Sequence, residues 1–342
     1  MDEENGSGGV ENEGEARGGA DGAGRPRHER VGAADAGQRV DNFLLRRAPG
    51  VPKGHLYRLI RTGEVRVDGR RVKQTRRLRE GEQVRIPALR TAARGTVQVP
   101  DRLADTLAAA VVLEHEDFLV VAKPPGVAVH GGSGLAFGLI DALRQRLDAP
   151  RLELVHRLDR GTSGALLIAR DNGRNRELQT LFRERTIEKD YLALVDGHWP
   201  ERQRMVDAPL AKNVEHAGER RVVVAPGGQR ARSRFRIVRS LPGATLVEVR
   251  IETGRTHQIR VHLSEQKMPL VGDTVYGGRL RIPKGASEEL QTVLREFPRQ
   301  ALHARRLSLI HPVSGEECSW ESPLPDDMLT LLAALRLHVK NA

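Results

Sequence analysis

Short segments with strand or helix patterning follow one another in an irregular order from residue 110 to the end of the chain. Apolar runs predict strands, and apolar residues at helical spacing predict helices. A regular alternation of the two would indicate a doubly wound parallel sheet, but few such alternations occur here. Strand patterns lie at 111–113, 118–122, 165–169, 191–195, 235–238, 245–251 and 307–310, and helix patterns at 137–147, after Asp171 and at 328–337. We therefore expect an α+β fold whose larger domain is built on a mixed, mainly antiparallel sheet.

A smaller folded segment precedes this domain. Residues 38–87 contain two short helix patterns, a strand pair joined by Asp68-Gly69 and one further strand, and Asp-Gly in this setting is typical of a hairpin. The first thirty residues are Gly-rich and acidic, with too few apolar side chains to offset the entropy lost on ordering. We expect a disordered tail over 1–37, a small domain over 38–87, a linker over 88–109 and the large domain over 110–342.

The chain is strongly basic, with 56 Lys and Arg against 45 Asp and Glu and a net charge of +11. The first thirty residues carry −4, so the remainder carries +15. This charge favours a polyanionic partner, most simply a nucleic acid, although a GC-rich genome could explain part of the arginine excess. Basic residues are dense in the small domain, where we expect phosphate binding rather than only a solvated face. They are Arg46, Arg47, Lys53, Arg58, Arg61, Arg66, Arg70, Arg71, Lys73, Arg76, Arg77 and Arg79.

Several protein classes are unlikely on composition. The single cysteine, Cys318, excludes an intrachain disulfide framework and a cysteine-based metal site. The N-terminus has no basic cap followed by an apolar run, and no stretch approaches the length of a membrane helix. A reducing cytoplasm fits these features. We lean to a monomer, because no apolar seam is left over for a partner copy.

The most informative segment is VHRLDRGTSGALL at 155–167, a polar loop with glycines that enters an apolar strand. Asp159 lies between Arg157 and Arg160, so its carboxylate should stay ionised and be oriented by nearby guanidinium groups. A lone Asp in a loop more often caps a turn. The density of Arg, Gly, Thr and Ser around Asp159 favours a functional site instead.

Two further segments are informative, the first because it has many polar donors and the second because it places a tyrosine in an apolar strand. Residues 253–262 read TGRTHQIRVH, and KDYLALV at 189–195 places Tyr191 on a strand face. His257 and His262 are five positions apart, which does not match a helical metal pair, so we expect hydrogen-bonding or core roles and no metal. A tyrosine such as Tyr191 is more often core than catalytic, unless its hydroxyl opens into a cleft.

Three motifs together resemble the RluA/RluC-type pseudouridine synthases: HRLDRGTSG at 156–164, KDYLALV at 189–195 and GRTHQIRVH at 254–262. The small domain looks like an S4 RNA-binding domain, which these enzymes often carry. The resemblance runs from about residue 38 to the end. One departure is Gly161, where an Asp is common; this change should spare the chemistry but could alter a loop contact.

Within this family, further segments are similar to the C-type synthases of large-subunit ribosomal RNA. They are QRVDNFL at 38–44, GVPK at 50–53, YR at 57–58, GEVRV at 63–67, AVHGGSG at 128–134 and ELVH at 153–156. That type modifies uridines 955, 2504 and 2580 of 23S rRNA, and the resemblance implies the same targets here. A related enzyme could modify another rRNA or tRNA uridine.

The resemblance also implies roles for individual residues. Asp159 matches the catalytic aspartate, which either attacks C1′ or takes the C2′ proton. Arg260 matches the basic residue that pairs with it, and Tyr191 the tyrosine that stacks on the base and helps to remove the C5 proton. Arg157 matches the arginine that fills the gap left by the flipped uridine. Further RNA contacts are expected from His156, Arg160, Arg255 and His257, and in the small domain from Arg46, Lys53, Arg58 and Arg61.

The reaction is an isomerisation without net electron or group transfer, so we expect no cofactor and no metal. A second hypothesis is a non-catalytic RNA-binding factor in ribosome assembly, which explains the charge but not the carboxylate among arginines. A third is a glycosidase with paired carboxylates, but no second acid of similar quality accompanies Asp159.

Overall fold

The computed structural model describes residues 26–48, 51, 53–89, 98–131, 135–200, 205–213, 221–278 and 280–341. Within-chain contacts divide the chain into an N-terminal unit, Met1–Val97, and a C-terminal unit, Gln98–Ala342. Expectations for residues 1–25, for 90–97, for Gly50 and Pro52, and for 132–134 of the AVHGGSG segment lie outside the described residues.

The N-terminal unit packs two helices on a four-stranded antiparallel sheet in the order β1-β4-β2-β3. Its elements are β1 (Arg27–Arg30), a 3-10 turn (Ala33–Asp35), α1 (Val40–Arg47), α2 (Lys53–Thr62), β2 (Arg66–Val67), β3 (Arg70–Arg71) and β4 (Gln83–Ile86). Val40, Phe43 and Leu44 of α1 and Leu56 and Ile60 of α2 are buried in its core. The two expected helices, the Asp68-Gly69 hairpin and the last strand are all present.

The expected tail is wrong for its last part, because β1 pairs with β4 from Arg27 opposite Ile86 to Arg30 opposite Gln83. An edge strand is held by backbone hydrogen bonds and can keep polar, exposed side chains, so it needs no apolar pattern in the sequence. Glu29 of this strand also forms an ion pair with Arg47 of α1.

The C-terminal unit is built on one ten-stranded sheet, whose main path runs β10-β13-β14-β9-β15-β8-β6-β5. β7 pairs with β8 and β16 with β15, beside the path. Its strands are β5 (Val111–Glu114), β6 (Phe118–Lys123), β7 (Glu153–Leu154), β8 (Ser163–Ala169), β9 (Glu188–Asp196), β10 (Met205–Asp207), β13 (Arg232–Leu241), β14 (Ala244–Ile251), β15 (Leu302–Ile310) and β16 (Glu317–Glu321). A separate antiparallel pair consists of β11 (Leu210–Asn213) and β12 (Arg221–Val224).

The described residues of this unit also form six helices: α3 (Asp101–Ala108), α4 (Leu139–Arg146), α5 (Asn172–Glu184), α6 (Gln258–Glu265), α7 (Glu288–Glu296) and α8 (Asp326–Asn341). Asp171 caps α5 as expected, accepting the N–H groups of Gly173 and Arg174. Among the described strands, β8 and β15 form the one parallel pair, so the expected mixed, mainly antiparallel sheet is confirmed.

The expected linker over 88–109 is wrong at its end, where α3 follows directly after Pro100. Ala104 and Leu107 lie on the buried face of this helix, at helical spacing. Proline is tolerated at the start of a helix because the N–H that it lacks would have no partner inside the helix. Pro100 therefore marks a helix start rather than an irregular segment.

Gly164 of β8 lies where the parallel pair brings two backbones very close. Its φ is +116°, and a Cβ at this position would overlap the backbone of Ala304 in β15. Only glycine fits such a position without displacing the neighbouring strand. The loop that carries Asp159 leads directly into this contact.

Candidate active site

Asp159 lies in the loop between β7 and β8, and buried cations hold the carbonyl oxygens that follow it. Lys123 Nζ donates to the carbonyl of Arg160 at 3.3 Å, and the Arg299 guanidinium donates to the carbonyl of Gly161 at 2.9 Å. Burial and the charge of Arg299 lower the pKa of Lys123 to about 7, against the opposing effect of Asp159. Lys123 and Arg299 therefore hold the backbone of the loop in place, and the Asp159 carboxylate faces a cavity.

Arg260 of α6 connects Asp159 to a second, deeper carboxylate. Its Nη1 lies 3.5 Å from Asp159 Oδ2, whereas its Nε and Nη2 donate to the two oxygens of Asp273 at 2.7 and 2.8 Å. The expected pairing of Arg260 with Asp159 is thus present only as a long contact, and the short bonds go to Asp273. Burial alone would raise the pKa of Asp273, but Arg260 and two backbone N–H groups lower it.

His257 approaches Asp159 from the start of α6. Its φ of +54° is a left-handed conformation that few residues other than glycine adopt, although histidine is enriched there. Its Nε2 lies 3.9 Å from Asp159 Oδ2, and its Nδ1 lies 2.9 Å from the hydroxyl of Tyr276. Burial lowers the pKa of His257 and favours a neutral ring. By contrast, His262 is fully buried and bonds to Ser233 and Ala208, which is the core role expected for it.

Tyr191 of β9 lines the same cavity and is almost completely buried. Burial and the negative charge of Asp159 raise its pKa, so the phenol stays protonated at neutral pH. A protonated phenol offers a flat apolar face and a donor, but it is a poor base. This supports the expected stacking role more than the expected part in removing the C5 proton.

The cavity has a volume of about 510 Å³ and brings together most of the residues that the sequence motifs indicated. Those in its lining are His156, Arg157, Asp159, Tyr191, Arg255, His257 and Arg260. Further cations come from Arg183, Arg185 and Lys189, and the acids in the lining are Asp159 and Glu252. One carboxylate beneath a predominantly cationic opening can bind a polyanion and present a nucleophile or base to it.

Two of the side chains expected to contact RNA, His156 and Arg160, form hydrogen bonds within the protein. His156 Nε2 accepts the N–H of Leu167 at 3.0 Å, and its ring stacks on Phe182. Burial and the charge of Lys189 lower its pKa to about 3, so the ring is neutral. Arg160 is outside the cavity lining, and its Nε donates to the carbonyl of Gly126 at 2.8 Å. Their RNA contacts stay predictions.

Several basic side chains of the N-terminal unit form ion pairs within the protein. Arg46 pairs with Asp35, Arg47 with Asp35 and Glu29, and Arg76 with Glu82, so these three cations already have carboxylate partners within the protein. Arg58 contacts His55, Arg61 is exposed, and the side chain of Lys53 lies outside the described residues. A groove of about 770 Å³ is lined by Arg70, Arg71, Lys73 and Arg79, together with the Arg76–Glu82 pair and Asp68.

The sequence reasoning missed Asp273, Tyr276, Lys123 and Arg299. Each of them acts on a motif residue from a distant part of the chain, and none stands in an unusual local pattern. One available signal was the apolar neighbours of Arg260, Ile259 and Val261, since a guanidinium buried among apolar residues requires a close carboxylate.

One cluster in the described part of the chain has the residue types of a metal site: His115, Asp117 and His311. The Nδ1 of His115 accepts the N–H of Asp117 at 3.1 Å, and the Nδ1 of His311 accepts the N–H of Ser314 at 3.1 Å. A neutral ring that accepts at Nδ1 carries its proton on Nε2, which then cannot bind a metal. His311 Nε2 lies 3.0 Å from the Asp117 carboxylate. The arrangement favours a structural contact between the His311 ring and the Asp117 carboxylate over a metal site.

Comparison with known proteins places the site in a family context. The RNA pseudouridylate synthase family matches residues 117–265, and the S4 domain matches residues 38–84. The chain is 44% identical over 315 residues to the ribosomal large subunit pseudouridine synthase C of Yersinia pestis, covering 91% of this chain and 95% of that protein. It is also 44% identical over 309 residues to the protein of that name from Escherichia coli K12, covering 90% and 95%. Among solved structures, human RNA pseudouridylate synthase domain containing 4 is 30% identical, with a TM-score of 0.58 and coverage of 69% and 96%.

Proposed function

Because the chain belongs to the RNA pseudouridylate synthase family, we propose that it converts uridines of 23S ribosomal RNA to pseudouridine, with Asp159 as the reacting carboxylate. It is an RNA pseudouridine synthase that carries an S4 domain. The observation that supports the role of Asp159 is its position in a cationic cavity, beside Arg260 and in the same lining as Tyr191.

The reaction breaks the C1′–N1 bond, rotates the uracil and joins C5 to C1′. C5 loses its proton and N1 gains one, so the overall change is an isomerisation. Asp159 either attacks C1′ or removes the C2′ proton to give a glycal, and both routes need an ionised carboxylate. Arg260, 3.5 Å from that carboxylate, can orient it. Cationic groups in the lining stabilise the electron-rich uracil after the glycosidic bond breaks.

The residues around the Asp159 carboxylate recognise the base. The uridine is flipped into the cavity, where the ring of Tyr191 offers a stacking surface. Arg157 is exposed in the lining and can stack in the space left in the RNA, offsetting part of the unstacking free energy. The basic groove of the N-terminal unit supplies phosphate contacts.

Asp159→Asn tests the chemistry, with Glu252→Gln as a matched control because both carboxylates line the cavity. We expect Asp159→Asn to abolish pseudouridine formation on a 23S rRNA fragment while RNA binding is retained, and Glu252→Gln to keep making product. Product formation by Asp159→Asn would refute its role. A wild-type protein that binds RNA without making product would instead favour the non-catalytic assembly factor.

For the substrate, the relatives are named for the large ribosomal subunit, and the sequence resembles the type that modifies uridines 955, 2504 and 2580. Pseudouridine mapping in rRNA and tRNA from a deletion strain tests these targets. Loss at the three positions would support these targets. Loss at another uridine would replace the targets and leave the proposed chemistry unchanged.

In the described part of the chain, no helix has the length and apolar character to cross a membrane. We further propose that the protein acts in the cytoplasm as a monomer, which fractionation and light scattering would test.

A further inference from the structure

The hydrogen bonds behind His257 determine which of its ring nitrogens carries the proton. The backbone N–H of Val222 donates to the Tyr276 hydroxyl oxygen at 2.9 Å. The Tyr276 hydroxyl oxygen also lies 2.9 Å from His257 Nδ1, so its proton can donate to that nitrogen. A neutral imidazole that accepts at Nδ1 carries its proton on Nε2. The side of the ring that faces Asp159 is therefore a donor.

The space between His257 and Asp159 has the size of one bridging group. His257 Nε2 and Asp159 Oδ2 are 3.9 Å apart, which is too long for a direct hydrogen bond. An oxygen about 2.8 Å from each atom fits between them. That oxygen must accept from Nε2–H and donate to the carboxylate, so it must belong to a hydroxyl group or a water molecule.

In an RNA chain, one group on the target nucleotide meets this requirement. The 3′ and 5′ oxygens are esterified to phosphorus, the uracil carbonyls cannot donate, and the uracil N3–H cannot accept. The ribose 2′-hydroxyl both donates and accepts. It is attached to C2′, next to C1′, where either route of the proposed reaction requires Asp159.

We propose that His257 is the residue that recognises ribose: its Nε2–H donates to the 2′-hydroxyl of the target uridine, which donates in turn to Asp159 Oδ2. Tyr276 is a positioning residue that holds His257 in this tautomer. The inference rests on the proposed function. A 2′-deoxyuridine would leave both protein groups without their partner, and sites built to bond a hydroxyl reject analogues that lack it.

The test compares two RNA fragments of one sequence, with uridine or 2′-deoxyuridine at the target. Single-turnover assays give the half-saturating concentration of the uridine RNA, and competition gives the inhibition constant of the deoxy RNA. We expect wild type to bind the deoxy RNA about 100-fold more weakly, because the missing 2′-hydroxyl removes two hydrogen bonds of about tenfold each. In His257→Phe only the bond to Asp159 remains, so the ratio should fall to about tenfold, while the constant for the deoxy RNA stays that of wild type.

Tyr276→Phe is the second variant, because it leaves the imidazole in place and removes the group that fixes its proton. For Tyr276→Phe, we expect the ratio of the deoxy RNA constant to the uridine RNA constant to lie between the ratios of wild type and His257→Phe. A His257→Phe protein that retains the wild-type ratio, or that loses affinity for both RNAs equally, would overturn the inference. A wild-type ratio near one would do the same. If wild type makes no pseudouridine from the uridine RNA, the proposed function itself fails, and this inference fails with it.

Discussion

Replacing Asp273 by Asn would test whether the buried Arg260 depends on this carboxylate. The Asp273 side chain is 1% exposed and binds Arg260 through both oxygens, and the Arg260 side chain is 7% exposed. Asparagine keeps the shape but loses the charge, and its amide nitrogen would face the guanidinium donors. The remaining partner of Arg260 is Asp159, at 3.5 Å.

The structure sets the size of the expected effect. Removing one partner of a buried ion pair costs about 3–5 kcal/mol, because the other charge stays buried without compensation. For a unit of this size, each kcal/mol lowers the melting temperature by about 2–4 °C, so we expect a decrease of about 6–20 °C. A displacement of Arg260 by about 1 Å would also misplace Asp159 and lower the isomerisation rate about 100-fold.

Urea unfolding would give the stability, and release of tritium from RNA labelled at uridine C5 would give the rate. Asp207→Asn is the matched control, because Asp207 also binds Arg232 through two hydrogen bonds, but both side chains reach water. It should unfold like wild type. If Asp273→Asn is as stable as this control, Arg260 does not depend on Asp273 and the reasoning is wrong.

Two further predictions concern the surroundings of the site. Gly164→Ala should destabilise the protein by at least about 2 kcal/mol in urea, from its positive φ and from overlap with the backbone of Ala304, whereas Gly254→Ala, which has open space, should not. Equal stabilities would argue against the close approach. His156 has a folded pKa of about 3, so below pH 6.5 the unfolded state binds one more proton and stability falls as the pH decreases toward 3. His156→Gln, which can still accept from Leu167, should reduce that slope by up to about 1.4 kcal/mol per pH unit. Identical slopes in urea unfolding between pH 4 and 6 would contradict the assignment.

Local sequence patterns predicted much of the fold, because periodicity and turn chemistry act over a few residues. The helices of the N-terminal unit, the Asp68-Gly69 hairpin and the Asp171 cap are of this kind. Two elements, β1 and α3, were not predicted, and each has its own physical reason. β1 is stabilised by backbone pairing to β4, which leaves no pattern in its own residues, and α3 follows a proline that suits both a loop and a helix start.

The sequence by itself also indicated, through the family resemblance of its motifs, that Asp159, Tyr191 and Arg260 belong to one site, and the three line the same cavity. Only the tertiary structure decided how these groups are charged and oriented. Arg260 makes its short bonds to Asp273, and the Tyr276 hydroxyl lies 2.9 Å from His257 Nδ1. Charge and proton position depend on partners within about 3 Å in space, and folding brings those partners from parts of the chain that no local pattern connects.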